Sequence, residues 1–203
     1  ESLLVRLIPC EHPSALPASE PAAAVRRIPL ASRVPFVLNE PNVLLLDMAE
    51  YALDDQPYAS AEELLRADNT CRRQLGWPVR KEAVVQPWTL APETPEHTVR
   101  LRFAIQSETA VAAPKLAMEH PETAVIRFNG RTVSASPDGY YVDKAIRTVT
   151  LPPVEPGTNV LELVLPFGRR TNVEWCYLLG DFWVRACGRE AVLTAPPRTL
   201  AFD

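Results

Sequence analysis

The chain has 203 residues, 21 prolines, only 7 glycines and a formal net charge of −4. Its length is enough for one β-sandwich with a sizeable core. Prolines at this density favour many short elements over a helical bundle. The negative charge gives no electrostatic case for nucleic-acid binding. The sequence has no run of about 18 apolar residues, so no membrane span is predicted.

The cysteines and histidines do not form a recognisable ligand pattern. Cys10, Cys71, Cys176 and Cys187 include no CxxC pair, and the three histidines are scattered. We therefore expect no metal site. We expect the cysteines to be buried free thiols, which favours a cytoplasmic location. The nucleotide-binding motifs GxGxxG and GxxxxGK(S/T) do not occur in the sequence, so no cofactor is expected.

The first part of the chain is poor in regular patterns. Residues 3–8 predict a strand, and the sequence begins there without Met, as a domain taken from a larger protein would. Residues 11–33 are rich in Pro and Ala and predict a loop. Residues 34–55 fit either one long bent strand or two strands that meet at 47–50.

One helix is predicted at 61–75. Ser60 is a suitable N-cap, and Glu63 three residues later completes a capping box. An apolar stripe at helical spacing consists of Leu64, Ala67, Cys71 and Leu75. Gly76 follows in the position that commonly ends a helix. We expect this helix to pack on one edge or end of a sheet.

The rest of the chain predicts antiparallel strands. At 98–107 apolar and polar residues alternate, as in a half-buried strand. Asn129-Gly130 predicts a tight hairpin at 124–133. Further strands are predicted at 115–119, 140–151, 159–167, 172–186 and 191–194. Turn signals at this spacing indicate a mostly β protein, an antiparallel β-sandwich with one packed α-helix, forming a single domain over 1–203.

A pair of acids could carry glycoside hydrolysis, which uses two carboxyl groups held several ångströms apart. The candidate pairs are Asp47 with Glu50, Asp138 with Asp143, and Glu174 with Asp181. Acids mostly lie solvated on surfaces, and this chain has 25 of them, so chance pairs are expected.

Aromatic side chains are the usual platform for a sugar ring. The strand predicted at 172–186 is apolar on both faces, so we expect it to be buried and central, with Trp175 and Trp183 in the core. Tyr140 and Tyr141 are adjacent and must point to opposite faces of a strand, which leaves one exposed.

Two motifs resemble a known family. Residues 126–131, IRFNGR, resemble the xVxxNGxxV hairpin of the galactose-binding-like jelly-roll domains that accompany family 2 glycoside hydrolases. Residues 155–163, EPGTNVLEL, are similar to the PGxNxLxVxV strand that follows it there. Residues 85–88 and 177–182 look like segments of large bacterial glycosyl hydrolases, some of them similar to α-L-rhamnosidases. The motif-level resemblance covers roughly 98–186.

The resemblance implies a jelly-roll sandwich that is an accessory, non-catalytic part of a bacterial glycoside hydrolase. Its partners would be the other domains of the parent polypeptide, which it would brace, and an oligosaccharide. The predicted carbohydrate contacts are the two adjacent tyrosines and two charged residues that follow them: Tyr140, Tyr141, Asp143 and Lys144. The alternatives are an independent carbohydrate-binding module, or a hydrolase that uses Glu174 and Asp181 within this chain.

Overall fold

The computed structural model describes residues 32–80, 91–188 and 190–201. The chain divides into two compact units, one of Glu1–Pro35 with Thr199–Asp203, the other of Phe36–Arg198. In the first unit, β1 (Arg33–Pro35) pairs antiparallel with β15 (Thr199–Ala201). The strand predicted at 3–8 and most of the loop predicted at 11–33 lie outside the described residues.

The larger unit is built from two β-sheets. The five-stranded sheet has the order β2-β12-β6-β10-β9, and the eight-stranded sheet runs β13-β14-β5-β11-β7-β8, with β3 joining β5 and β4 joining β3. The strands are β2 (Asn42–Leu46), β3 (Met48–Leu53), β4 (Ala59–Glu63), β5 (His97–Ser107), β6 (Lys115–Glu119), β7 (Val125–Phe128), β8 (Arg131–Val133), β9 (Gly139–Tyr141), β10 (Asp143–Thr150), β11 (Gly157–Phe167), β12 (Cys176–Gly180), β13 (Trp183–Cys187) and β14 (Glu190–Thr194). The predicted mostly β, antiparallel sandwich with one helix is confirmed.

The core lies between the sheets and follows the alternation predicted for β5. Val99, Leu101, Phe103 and Ile105 are each at most 1% exposed, while the residues between them are half-buried or exposed. Neighbouring β11 contributes Leu161, Leu163 and Phe167 to the same core, and β12 contributes Leu178 from the opposite sheet. Burial of large apolar side chains from both sheets is the main stabilising term of such a sandwich.

The hairpin predicted at 124–133 is confirmed. β7 and β8 pair antiparallel, and Asn129 and Gly130 have φ values of 49° and 74°. A two-residue turn with two positive φ values matches the right-handed twist of the flanking strands, which is why Asn-Gly is favoured there.

The helix is confirmed but its predicted start is wrong. Helix α1 spans Leu64–Gln74, and its N-cap is Glu63, whose carboxylate accepts hydrogen bonds from the backbone N of Leu65 and Arg66. Ser60 cannot begin the helix, because Ala59–Glu63 is β4 and pairs with β3. The apolar stripe faces inward as predicted, and Gly76 follows the helix at φ 67°.

After the end of β1 at Pro35, the segment predicted at 34–55 contains two strands that belong to different sheets. β2 ends at Leu46, β3 begins at Met48, and the chain crosses between the sheets at Asp47. Another predicted strand, 140–151, is also divided: β9 and β10 are antiparallel neighbours joined at Val142, which has φ 60°.

The prediction for 172–186 is wrong in two respects. The segment holds β12 in the five-stranded sheet and β13 at the edge of the eight-stranded sheet. The turn between them brings Phe182 into the core at 0% exposure, whereas Trp175 and Trp183 are 40% and 37% exposed. Trp183 packs edge-on against Phe36, with ring centroids 6.4 Å apart.

Cysteine burial agrees with the prediction in part. Cys71 and Cys176 are buried free thiols, Cys187 is an exposed free thiol, and Cys10 lies outside the described residues. Burial raises the pKa of Cys71 to about 11 and of Cys176 to about 12. Among the described residues no helix has the length and apolar character needed to cross a membrane.

Candidate functional site

The outer face of the five-stranded sheet carries a pair of tyrosines. Cys176 and Leu178 of β12 point into the core, so Tyr177 between them points outward. Tyr141 of β9 meets it there, with ring centroids 5.5 Å apart and a 53° angle between the ring planes. We call this pair the tyrosine platform.

The platform bridges two strands. β6 and β10 lie between β12 and β9, a separation of roughly 14 Å at the usual strand spacing. The side chains can meet across that distance because small residues lie beneath them. Ala117 pairs with both Tyr177 and Thr148, and although it is on the outer face it is fully buried. On the other side of Tyr177, the exposed Leu45 of β2 extends the apolar surface.

A polar cluster borders the platform on the same face. Asp138 accepts hydrogen bonds from the hydroxyls of Thr148 (2.7 Å) and Thr150 and from Nζ of Lys115 (3.1 Å). Burial opposes ionisation of this carboxyl, but the Thr150, Thr148 and Lys115 donors outweigh it and lower the pKa of Asp138 to about 2. The ammonium of Lys115 has further donors and the carboxylate has a remaining lone pair, so both can serve a polar ligand.

The predicted contacts Tyr140, Tyr141, Asp143 and Lys144 lie together at the β9 edge of this sheet. Tyr140 is 60% exposed and Tyr141 is half-buried, in agreement with the prediction that one of the two is exposed. It is the half-buried Tyr141 that faces the platform. Asp143 is exposed and accepts a hydrogen bond from the backbone N of Ala145, and Lys144 is exposed beside it.

Sequence reasoning missed Tyr177 as a surface residue. Its segment appeared apolar on both faces, because Leu179 shares the parity of Tyr177 and is itself buried. The signal that could have found it is the small Ala117 on the outer face of a neighbouring strand.

The structure separates the acid pairs. Glu174 and Asp181 lie beyond opposite ends of β12, whose five residues alone span roughly 13 Å. Asp47 lies at the crossing between the sheets, while Glu50 pairs with Arg102 at 3.3 Å. Asp138 is held in the polar cluster and Asp143 caps its own turn.

At the end of the sandwich where β6 ends and β12 begins, residues of both sheets line a cleft of about 660 Å³, which we call the acidic cleft. Its wall includes Glu119, Glu174 and the exposed indole of Trp175. Glu119 lies two residues from Ala117 on the outward side of β6, about 7 Å along the strand, and so belongs to both cleft and face. Burial raises the pKa of Glu174, a hydrogen bond from Asn172 partly offsets this, and nearby Glu119 raises it further.

Helix α1 holds the loop that forms another wall of this cleft. Arg72 is 3% exposed and donates to the backbone carbonyls of Arg169 (3.2 Å) and Thr171 (2.7 Å). Its Nε binds Asp68 at 2.8 Å, and its guanidinium lies over the Phe167 ring. The cleft is therefore backed by a rigid element. In the described part of the chain no three His, Cys, Asp or Glu side chains converge as a metal site would require.

A second cavity, of about 760 Å³, lies at the other end of the larger unit, and we call it the end cavity. It is lined by residues 36–41 and 195–198 together with Lys115, Leu179 and Asp181. Much of this lining is apolar, and Val37 is 94% exposed.

No protein-family model and no curated protein matches this sequence. Among solved structures, a family 2 (GH2) β-galacturonidase from Eisenbergiella tayi bound to glycerol matches with a TM-score of 0.36 and 12% identity. A GH2 β-galacturonidase structure from that organism bound to galacturonate matches with a TM-score of 0.35 and 13% identity. Each match covers 72% of this chain and 26% of the other, so the chain spans about a quarter of the length of these enzymes.

Proposed function

We propose that this chain is a non-catalytic accessory β-sandwich of a larger bacterial glycoside hydrolase of the family 2 type, and that it contacts carbohydrate through the tyrosine platform. The single observation that carries the carbohydrate contact is the ring-to-ring pair of Tyr141 and Tyr177 on an outer sheet face, beside the Asp138–Lys115 cluster. Sugars bind where their C–H groups can stack on aromatic faces and where nearby polar groups can form hydrogen bonds with their hydroxyls.

The resemblance of the hairpin and the following strand to accessory domains of glycoside hydrolases supports the parent's class. α-L-Rhamnosidase-like activity of the parent remains a prediction from short segments.

The structure offers a sharp test of the carbohydrate contact, because Tyr140 and Tyr141 are neighbours with different surroundings. We expect Tyr141→Ala and Tyr177→Ala to abolish binding of the purified chain to a glycan array, and Tyr140→Ala to retain it. Urea denaturation of each variant separates loss of the site from loss of the fold. Equal losses for Tyr140→Ala and Tyr141→Ala would contradict the platform, as would the absence of any glycan binding by the wild type.

Bracing of the parent's other domains is proposed for the end cavity. An open apolar surface of this kind is typical of an interface that another domain covers. Val37→Asp is expected to leave the stability of the isolated chain unchanged, since Val37 is 94% exposed. In the full-length parent it should lower the unfolding temperature and speed proteolysis between domains. An identical response of the two proteins would overturn the bracing role.

An independent carbohydrate-binding module is the alternative that the same platform supports. It predicts that the isolated chain binds glycan as tightly as the parent does, and that Val37→Asp has no effect on the parent.

A further inference from the structure

We propose that the tyrosine platform and the acidic cleft together take a glycan that carries no acidic groups, and that Glu119 excludes uronic-acid and sulfated chains. This inference rests on the proposed carbohydrate contact and adds the class of glycan to it.

A sugar chain bound on this face would follow a line of aromatic side chains. Tyr141 and Tyr177 form a continuous aromatic surface across four strands, and the exposed Trp175 lies two residues before Tyr177 in the wall of the acidic cleft. Nε1 of Trp175 donates to Oε1 of Glu63 at 2.8 Å, which fixes the indole against α1. The aromatic surfaces therefore extend from the β9 edge to the cleft.

Carboxylates lie along that path. Glu119 lies on the outer face at the junction of platform and cleft, and Glu174 lies in the cleft wall. Glu93 and Arg170 line the same cleft, where the Glu93 carboxylate accepts hydrogen bonds from the backbone N of Arg169 and Arg170. At the other border, Lys115 is neutralised by Asp138 at 3.1 Å.

The cleft lining carries three carboxylates, those of Glu93, Glu119 and Glu174, against one guanidinium, that of Arg170. This excess of negative charge favours a negative potential where the glycan would cross into the cleft. Burial is the main cause of the raised pKa of Glu174; Glu119 adds to the shift and Arg80 opposes it. A carboxylate or sulfate on a sugar in van der Waals contact with the platform would lie near Glu119 and be repelled. Uncharged hydroxyls, by contrast, can donate to these carboxylates.

The test uses a glycan array that carries neutral oligosaccharides and their uronic-acid counterparts with the same linkages. We expect the wild type to bind neutral chains and to bind the acidic counterparts at least tenfold more weakly. Glu119→Gln should raise the affinity for acidic chains relative to that for their neutral counterparts by roughly threefold to tenfold, an effect that weakens as salt is added. Glu155→Gln is the matched control, because it removes the same charge from an exposed turn before β11 of the other sheet.

The outcomes separate the two proposals. Acidic chains that bind the wild type as well as neutral ones would overturn the selectivity and leave the carbohydrate contact intact. An unchanged preference in Glu119→Gln would overturn the role of Glu119. A wild type that binds no glycan would overturn the carbohydrate contact itself, and this inference with it.

Discussion

Asn129, in the hairpin turn, donates from Nδ2 to Oδ1 of Asn159 at 2.9 Å, and Oδ1 of Asn129 accepts from the backbone N of Val160 at 2.8 Å. The two asparagines belong to two separate sequence motifs, the Asn-Gly hairpin and the Pro-Gly-Thr-Asn turn. Their hydrogen bonds join these motifs into one structural unit. Asn159 is 1% exposed and also binds both backbone groups of Glu155, so it fixes the turn before β11.

Asn159→Ala is expected to lower the free energy of unfolding by about 2 kcal/mol, because it leaves several buried polar groups without partners. Urea denaturation measures the change. Thr158→Ala, which alters an exposed neighbour, should change stability by less than about 0.5 kcal/mol. A loss for Asn159→Ala no larger than this control would contradict the role of the asparagine pair.

Local sequence signals predicted the elements whose structure is decided locally. The alternation in β5, the Asn-Gly turn and the apolar stripe of α1 each follow from a few neighbouring residues. The start of α1 could not be predicted in this way, because pairing of β4 with β3 overrides the capping box at Ser60. The sequence singled out Tyr141 only as one of four candidate carbohydrate contacts. Its contact with Tyr177 could not be predicted, because it depends on the order of strands in the sheet.

The exchange of core positions between Phe182 and Trp183 gives the second prediction. Phe182→Ala should lower the free energy of unfolding by roughly 3–5 kcal/mol, since it empties a fully buried site. Trp183→Ala should cost about 1 kcal/mol, because that indole is partly exposed at an edge strand. Chemical denaturation of both variants measures these losses. A larger loss for Trp183→Ala than for Phe182→Ala would mean that the tryptophan is the core residue.

The ion pair of Asp68 with Arg72 gives the third prediction. Arg72→Met removes a guanidinium that serves a buried carboxylate and two loop carbonyls, while Arg80 stays 3.5 Å from Asp68 and still donates to the Thr171 carbonyl. The expected cost is therefore roughly 3 kcal/mol, the lower end for breaking a buried pair. Arg73→Met, an exposed position on the same helix, should cost less than about 0.5 kcal/mol. Hydrogen exchange should show faster opening at 168–172 in Arg72→Met alone. Equal protection of that loop in both variants would mean that α1 does not hold it.

Asp138 gives a prediction about pH. Its folded pKa of about 2 lies below the ordinary value of 3.8, so ionised Asp138 stabilises the folded state above pH 3.8. That stabilisation is lost as the pH falls from 3.8 through about 2. We therefore expect Asp138→Asn to be less stable than the wild type at neutral pH, with a difference that shrinks as the pH falls through that window. Urea midpoints measured across the window check this.

A variant at the other end of the same ion pair sharpens the test. Lys115→Met removes one of the three donors to Asp138 and keeps the two threonine hydroxyls. Its stability should retain part of the acid dependence, intermediate between wild type and Asp138→Asn. If all three proteins lost stability in parallel as the pH fell, the threonine and lysine donors would not be what holds Asp138 ionised on this face of the sheet.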